Sequence, residues 1–311
     1  MDTRTLGPDG PALSVVGIGT NNFGMMIEDD AATAVVHAAL DAGITHFDTA
    51  EMYGGGRSEV MLGAALRGRR DEAVIATKVL PRPSSEPYRP GVLAARIREA
   101  AEQSLRRLGT DHIDVLYQHY PDPEAPVDEA LEAFDALVRS GSVRHIASSN
   151  VSGDEIAEAA RVAVAQGWAA FAGTQIEWSL LSRAVEADEV PAALAAGLGV
   201  VPYFPLASGL LTGKYRRGEP FPEGSRMARS DRWARMVTDD AFDRIEPLEG
   251  WAADHGRTLT ELAVAWLLAQ PAVTSVITGA TRPEQVGANA AAATWRLTAN
   301  EAAEVGALSP P

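Results

Sequence analysis

The chain of 311 residues has no cysteine, which excludes disulfide bonds, thiolate nucleophiles and cysteine-bound zinc or iron–sulfur centres. Basic residues are also scarce, since 27 Lys and Arg against 42 Asp and Glu give a formal net charge of −15 at pH 7. Proteins that bind nucleic acids or anionic membranes neutralise phosphate groups with basic patches, so neither kind of partner is predicted. The longest purely apolar run, residues 262–269, is far below the roughly 18 residues that span a bilayer, which indicates a cytoplasmic protein.

Lysine is almost absent, because only Lys78 and Lys214 occur and every other basic residue is an arginine. A coding bias toward arginine accounts for the overall ratio. Arginine stays charged in proteins, however, whereas lysine carries a compact ammonium group whose pKa the surroundings can shift. Both lysines are therefore candidates for functional positions.

Short apolar, β-branched segments alternate along the chain with segments that carry helix signals. This alternation predicts parallel strands joined by helices, and eight such units close into an α/β fold of the (β/α)8 TIM barrel type. An open doubly wound sheet is the structural alternative. The predicted strands are 14–19, 45–49, 74–78, 113–118, 145–149, 174–178, 200–204 and 275–278. The first predicted helix begins at 28–30 and ends near 42. The other predicted helices span 58–66, 92–108, 128–140 and 152–166.

Two departures from the regular spacing are informative. Residues 1–13 contain the turn sequence Pro8-Asp9-Gly10 and predict an N-terminal β-hairpin that caps one end of the barrel. Residues 215–235 are polar and rich in arginine, which predicts a long functional loop over 207–240 that is followed by extra C-terminal helices. No linker interrupts the pattern, so residues 1–311 are interpreted as one domain.

Four polar side chains of different kinds follow the ends of neighbouring predicted strands, where barrels of this type assemble their sites. They are Asp48, Tyr53, Lys78 and His119. Each alone could be structural, but their coincidence at one rim favours a catalytic site. A buried Lys78 needs a compensating anion, which Asp48 can supply. Its ammonium group is expected to lower the pKa of the Tyr53 phenol, so the set suits protonation of an oxygen atom while another group attacks carbon.

The segments that hold these residues resemble the aldo-keto reductase family. The similar segments are residues 48–54 (DTAEMYG), 76–78 (ATK) and 113–122 (IDVLYQHYPD), with Ser58-Glu59 and Leu62-Gly63. The resemblance extends in order over nearly the whole chain. It implies that Tyr53 is the general acid and that Lys78 and Asp48 tune it. His119 would position a substrate carbonyl group.

The same resemblance implies a nicotinamide dinucleotide cofactor, usually NADPH, bound without a Rossmann domain. The sequence agrees on the last point, because residues 17–22 lack the third glycine of G-x-G-x-x-G and residues 209–215 do not fit a P-loop. By resemblance, Ser149, Asn150 and Gln175 would bind the carboxamide, and Tyr203 would stack on the nicotinamide ring. The other implied cofactor contacts are Thr20, Asn21, Asp48, Phe204, Pro205, Leu206, Lys214, Arg226, Gly279, Thr281, Gln285 and Asn289.

The phosphate groups of the cofactor have two candidate segments. The stretch from Lys214 to Arg226 resembles the family's pyrophosphate clasp, and residues 279–289 resemble its adenosine-phosphate segment at a helix N-terminus. The second segment departs from the usual pattern, because Thr278 replaces a proline and Thr281 replaces an arginine or serine. Arg282 would supply the charge instead. NADPH is therefore the expected cofactor, NADH is possible, and no metal is expected.

Aromatic residues after three of the strands are candidates for the wall of a substrate pocket, namely Phe23, Tyr120 and Trp178. The other candidates on this side are Met25, Met26, Tyr88 and Trp233. The expected partner is a small aldehyde or ketone. His119 favours carbonyl reduction, since family members that reduce enone double bonds typically carry Glu at that position. The sequence does not fix the oligomeric state, and a monomer is the working expectation.

Two other function classes remain open from the sequence. Some members of the family are non-catalytic, NADPH-binding regulatory subunits of ion channels, and this chain could be one of them. The other class is a barrel hydrolase that uses Asp48 and Glu177 as a carboxylate pair, or a metal held by His46, Asp48 and His119. The spacing of these residues fits no specific ligand pattern.

Overall fold

The computed structural model describes residues 1–81, 87–229 and 231–311. In these parts a two-stranded hairpin precedes eight parallel strands. The hairpin strands are β1 (Thr3–Thr5) and β2 (Ala12–Ser14). The parallel strands are β3 (Val16–Gly19), β4 (His46–Asp48), β5 (Val74–Val79), β6 (Ile113–Gln118), β7 (Val143–Ser149), β8 (Phe171–Glu177), β9 (Gly199–Tyr203) and β10 (Val276–Gly279).

The eight strands form a nearly closed barrel, and helices on its outside connect one strand to the next. The strand order is β10-β3-β4-β5-β6-β7-β8-β9, and a bridge between Val200 and Val273 joins the two sides of the remaining gap. This confirms the predicted (β/α)8 TIM barrel and its eight strands. The strand predicted over 200–204 ends one residue earlier, at Tyr203, because Phe204 has a left-handed backbone with φ of 53°.

The helices cover the outer face of the barrel. Those predicted from the sequence lie within two residues of their predicted ends, and that over 92–108 matches at both ends. The helices are α1 (Asp29–Asp41), α2 (Arg57–Ala65), α3 (Val92–Leu108), α4 (Val127–Ser140), α5 (Gly153–Gln166), α6 (Glu189–Ala195), α7 (Arg226–Arg229), α8 (Asp231–Ala234), α9 (Asp239–Asp254), α10 (Leu259–Leu268), α11 (Pro283–Ala292) and α12 (Ala299–Leu308). None of the described helices is both long enough and apolar enough to cross a membrane.

The N-terminal hairpin closes one end of the barrel, as predicted. Leu6 and Leu13 are fully buried and join the apolar cluster inside the barrel, which also contains Val115 and Tyr117. Glycine on the neighbouring strands makes room for Leu6, because a Cβ atom at Gly173 would lie 2.5 Å from the Leu6 Cδ1. The opposite end, where the strands have their carboxyl termini, is left for a functional site.

The predicted long loop at 207–240 contains more helix than the sequence indicated. A 3-10 helix spans Ala207–Thr212, and α7 and α8 follow before α9 begins at Asp239. Ser230, which also falls in the predicted loop, lies outside the described residues. Arg217 attaches the start of this segment to α9 through ion pairs with Asp239, Asp243 and Glu246.

Gly63 provides a test of the close packing between α2 and α3. A Cβ atom at Gly63 would lie 2.1 Å from the Leu108 carbonyl oxygen, which is a backbone atom that cannot swing aside. We therefore expect Gly63→Ala to lower the free energy of unfolding by about 1–3 kcal/mol, as measured by urea denaturation. The matched control is Gly287→Ala in α11, where an added Cβ atom would have no atom from outside its own stretch of helix within 4 Å. That variant should gain about 1 kcal/mol from better helix propensity, and equal losses in both variants would contradict the packing explanation.

Candidate active site

The ammonium group of Lys78 is the centre of the rim formed by the carboxyl ends of the strands. Lys78 is fully buried, and its Nζ donates to Asp48 Oδ2 at 2.7 Å, to the Thr49 carbonyl oxygen at 2.9 Å and to Tyr53 Oη at 3.3 Å. These three bonds use all three donors of an ammonium group. Burial is the largest single influence and opposes the charge, but the attraction and hydrogen bonds of Asp48 and Tyr53 together outweigh it and raise the pKa of Lys78. The lysine is therefore a fixed cation.

Asp48 is held as firmly as its partner. Its second oxygen, Oδ1, accepts a hydrogen bond of 2.8 Å from the Gln175 carboxamide, and the side chain is 3% exposed. Both carboxylate oxygens are thus occupied by donors. A pairing of Asp48 with Glu177 as hydrolytic acid and base, the alternative left open by the sequence, does not fit a carboxylate in this environment.

The Tyr53 phenol does not behave electrostatically as the sequence predicted. Its pKa is raised above the usual 10, because burial disfavours the phenolate more than Lys78 stabilises it. The prediction of a lowered pKa was wrong because it counted the neighbouring ammonium and left out the loss of solvent. At neutral pH the phenol carries its proton and is available as a donor.

His119 follows the end of β6 and faces Tyr53 across the site. The two ring centroids are 6.2 Å apart in an edge-on arrangement, and the Tyr120 ring stacks on His119 at 4.7 Å. Burial, with a smaller contribution from Lys78, lowers the pKa of His119 to about 3. A neutral imidazole beside a protonated phenol can orient an oxygen atom without adding a second positive charge.

Residues predicted to bind a carboxamide form one network at the ends of β7, β8 and β9. The Ser149 hydroxyl donates to the Gln175 carbonyl oxygen at 2.9 Å. The Asn150 side chain donates to the His119 carbonyl oxygen at 2.9 Å and accepts from the Tyr203 hydroxyl at 2.8 Å. The structure therefore brings these residues together beside the Lys78 centre.

Backbone strain is concentrated at the same rim. The residues other than glycine with positive φ in the described chain are Asn150, Phe204, Ala207 and Ser208, with φ of 56°, 53°, 45° and 58°. Each such residue costs on the order of 1–3 kcal/mol and persists only where its surroundings impose it. All four follow β7 or β9. Ala207 and Ser208 had no sequence signal, since only the backbone angles reveal them.

Ser58 and Glu59, at the start of α2, form hydrogen bonds with residues next to the ion pair. The Ser58 hydroxyl lies 2.7 Å from that of Thr20 and 2.9 Å from that of Thr49. Glu59 is fully buried and accepts from Thr77, the residue before Lys78, at 2.6 Å. The sequence showed these residues only as part of a motif. Thr20 is fully buried too, and its hydroxyl also lies 3.1 Å from the Asp48 carbonyl oxygen; the cofactor contact that the resemblance implied stays a prediction.

A second group of residues has the character of an anion site. Lys214 is exposed, with Nζ 5.1 Å from the centre of the Tyr215 ring, and Arg226 lies 5.2 Å over the Trp233 ring. Burial lowers the pKa of Arg226. Neither cation pairs with an acidic side chain in the described part of the chain, whereas Arg216 nearby pairs with Glu249 at 2.5 Å. Lys214 and Arg226 are thus available for a negatively charged ligand.

The end of β10 and the start of α11 form a third part of the rim. Thr281 donates to Gln285 Oε1 from its backbone N–H at 2.7 Å and from its hydroxyl at 3.1 Å. Asn289 donates to the Gly279 carbonyl oxygen at 3.3 Å. The side chains of Gln285 and Asn289 therefore shape the turn that leads into α11. Asn21 is half-buried at the start of the loop after β3.

The residues between Tyr203 and the 3-10 helix turn the chain across the rim. Phe204 packs edge-on against Tyr203, with ring centroids 5.2 Å apart, and against Trp233 at 6.3 Å. Pro205 is buried and Leu206 is half-buried. Trp233 thus lies over the chain at the end of β9, which suits its predicted place on a covering loop.

The structure changes the predicted substrate wall. Phe23 is fully buried and Trp178 is 2% exposed, with the Trp178 ring packed edge-on against Trp266 at 5.9 Å. Both belong to the large buried apolar core. Tyr120 is 43% exposed beside His119 and remains a wall candidate.

Three other residues on the substrate side were named from the sequence. Met25 and Met26 are exposed on the loop after β3, and both backbone N–H groups donate to the Asn22 carbonyl oxygen. The Tyr88 hydroxyl donates to Glu129 in the first turn of α4 at 2.8 Å. The place of these three residues on the substrate side stays a prediction.

The alternative metal site left open by the sequence consists of His46, Asp48 and His119. His46 is fully buried in β4, and its Nδ1 lies 2.9 Å from Ser275 Oγ. Because the Ser275 hydroxyl donates its hydrogen to the Ser14 carbonyl oxygen, His46 Nδ1 must be the donor in this contact. No group of three or more His, Asp or Glu side chains in the described residues is arranged to hold a metal ion.

The chain is similar to known proteins over most of its length. The model of the family described as Aldo/keto reductase family matches residues 15–310. The chain is 35% identical over 297 residues to a probable voltage-gated potassium channel subunit beta from Oryza sativa subsp. japonica, covering 93% of this chain and 90% of the relative. It is 36% identical over 298 residues to the uncharacterized oxidoreductase YrpG of Bacillus subtilis (strain 168), covering 92% of this chain and 89% of the relative. It is 33% identical over 303 residues to an L-glyceraldehyde 3-phosphate reductase of Escherichia coli O157:H7, covering 93% and 86%.

The buried His46 predicts how stability depends on pH. Burial lowers the pKa of His46 from 6.5 to about 4, and Asp48 opposes this shift. Between those pH values the unfolded chain binds a proton that the folded protein does not, so stability falls as the pH falls through this window. We expect His46 to account for about 2 kcal/mol of lost stability between pH 7 and pH 5.

Urea denaturation at the two pH values measures this loss. The comparison is with His46→Asn, which can keep a donor near Ser275 but does not titrate. The variant should show the smaller decrease in stability, and the same decrease in both proteins would contradict a neutral, buried His46.

Proposed function

The chain belongs to the aldo/keto reductase family, and we propose that it reduces an aldehyde or ketone to an alcohol with a nicotinamide dinucleotide, preferably NADPH. One observation carries the proposal. The protonated Tyr53 phenol lies 3.3 Å from a Lys78 ammonium that is locked to Asp48 at 2.7 Å. This arrangement supplies a proton at one point and stabilises the negative charge left behind.

The residues of the rim fit such a cofactor. Lys214 and Arg226 are cations without acidic partners in the described chain, as a pyrophosphate or phosphate group requires. The amide and hydroxyl groups of Ser149, Asn150 and Gln175 lie together and can exchange hydrogen bonds with a carboxamide. Tyr203 offers a ring at the end of β9 for stacking. When bound, the nicotinamide would supply a hydride ion for the substrate carbon.

The chain's own residues would complete the reaction on the oxygen side. His119, neutral at physiological pH, orients the carbonyl oxygen toward Tyr53. Tyr53 donates its proton to that oxygen as the C=O bond becomes a C–O single bond, and the phenolate is stabilised by Lys78. Asp48 keeps the ammonium in place throughout, and the phenol regains a proton from solvent. Hydride plus proton balances the reduction of a carbonyl to an alcohol.

A second function is a non-catalytic regulatory subunit that binds the same cofactor. Its support is the similarity to proteins named as probable voltage-gated potassium channel subunits beta, including the one from Oryza sativa and one from Arabidopsis thaliana at 34% identity over 300 residues. The presence of all four residues favours catalysis, because Lys78 bonds both Asp48 and Tyr53 and the His119 ring faces the phenol. Tight NADPH binding with no turnover of any compound in a broad carbonyl panel would favour the regulatory function.

Removing the Tyr53 hydroxyl tests the proton donor. We expect Tyr53→Phe to lower kcat by about 10²–10⁴-fold, because only the donated proton is lost. NADPH affinity, followed by quenching of intrinsic fluorescence, should change little. Turnover is measured as loss of nicotinamide absorbance with an aromatic aldehyde. The matched control is Tyr88→Phe, whose hydroxyl faces Glu129 on α4, and comparable losses in both variants would contradict the assignment.

Replacing Lys214 tests the proposed anion site. Because a hydrogen bond to a charged group contributes about 1.5–3 kcal/mol, Lys214→Met should weaken NADPH binding by roughly 10- to 100-fold. An equal loss for NADH would place Lys214 on the shared pyrophosphate, and a loss confined to NADPH would place it on the 2′-phosphate. The control is Arg106→Met on α3, an exposed cation paired with Glu102. Unchanged binding of both cofactors to Lys214→Met would contradict the anion site.

A further inference from the structure

A cavity of about 450 Å³ lies outside the barrel, between α5, the loop 121–126 and the ends of β6 and β7. Apolar side chains of α5 form one wall, namely Ile156, Ala159 and Val162. Cavities of roughly 300–1,000 Å³ are the usual size for small-molecule sites. This one is separate from the candidate active site, because its residues from β6 and β7 alternate with the inward-facing Tyr117 and Ala147.

The inner end of the cavity is polar. Gln118 and Ser148 are register partners on β6 and β7, and both line the cavity. The Ser148 side chain is 1% exposed, and its hydroxyl has no hydrogen-bond partner in the described chain. Burial of a hydroxyl without a partner is unfavourable, which indicates that a group outside the described chain satisfies it.

We propose that this cavity is a second ligand site, which binds a small uncharged molecule with a hydroxyl or carbonyl group at one end and an apolar body. The Ser148 hydroxyl and the Gln118 carboxamide can each donate and accept, so they match either polar group. The apolar body would lie against Ile156, Ala159 and Val162. Four carboxylate side chains and one guanidinium line the cavity, which disfavours an anion.

The site is placed to affect catalysis without touching the substrate. Gln118 directly precedes His119, and Pro121, which also lines the cavity, directly follows Tyr120. On β7, Ser148 lies two residues before Asn150, whose side chain bonds the His119 carbonyl oxygen at 2.9 Å. A ligand that shifts either strand end would move His119 relative to the phenol that faces it. Occupancy therefore changes turnover through the position of His119.

The probe for this site is 2-phenyl-2-propanol, whose carbinol carbon has no hydrogen and so cannot give up a hydride. Binding is measured by isothermal titration calorimetry without cofactor, so the result does not depend on the proposed reductase activity. Cumene has the same apolar body without the hydroxyl, and benzoate is the anionic counterpart. We expect the alcohol to bind about 5- to 10-fold more tightly than cumene, as one hydrogen bond predicts, and benzoate to bind more weakly than either.

Two variants locate the binding. Ser148→Ala should remove the advantage of the alcohol over cumene, and Ala159→Leu should abolish binding of both by filling the space. The matched control is Thr174→Val, which removes another buried, unpartnered hydroxyl, on the neighbouring strand β8 and outside the cavity lining. It should leave the binding unchanged.

Kinetics complete the test. In the wild type, the alcohol should alter kcat without competing with the carbonyl substrate. Absence of binding to the wild type would overturn the proposal and leave water as the occupant. Binding that survives both Ser148→Ala and Ala159→Leu, or inhibition that is purely competitive, would place the alcohol at the active site and overturn it as well.

Discussion

The buried ion pair of Lys78 and Asp48 is the interaction on which the candidate active site depends. Removing both charges from water costs several kcal/mol per ion, and the pair is tolerable only because every donor and acceptor is used. The ammonium group has three acceptors, and the second carboxylate oxygen has the Gln175 amide. Three strands, β4, β5 and β8, must therefore keep their register to within a fraction of an ångström. The barrel is what makes that register rigid.

Polar residues in the segment after β4 hold the Tyr53 loop in position. Glu51 accepts from the Leu80 backbone N–H at 2.6 Å and pairs with Arg96, which ties the loop of Tyr53 to the end of β5. Ser58 joins two threonine hydroxyls, that of Thr20 after β3 and that of Thr49, the residue that follows Asp48. A loop fixed at both ends can hold the phenol at hydrogen-bonding distance from the ammonium before any substrate arrives, which is the condition for efficient proton transfer.

Much of this could be predicted from the sequence, and what could not be predicted has a common cause. Alternating apolar and amphipathic segments are local signals, so the strands, the first five helices and the hairpin were found with small errors at their ends. The raised pKa of Tyr53 and the burial of Phe23 and Trp178 depend on how much solvent the assembled barrel excludes, and no local pattern contains that quantity. The left-handed Ala207 and Ser208 are similar, because ordinary residues acquire those angles only from their surroundings.

The two lysines show how one residue type serves opposite needs in this chain. Lys78 is enclosed, and its three donors are permanently satisfied, so its charge acts on a neighbour and not on a ligand from solution. Lys214 is exposed, has no acidic partner in the described chain and lies near Gly209, at which a Cβ atom would be 3.5 Å from the lysine Nζ. Arginines of the same loop, Arg216 and Arg217, are instead bound to carboxylates of α9. The loop thus separates cations that fix its shape from a cation that has no acidic partner in the described chain. In a protein with a net charge of −15, such a cation would be needed to hold the phosphate groups of the proposed cofactor.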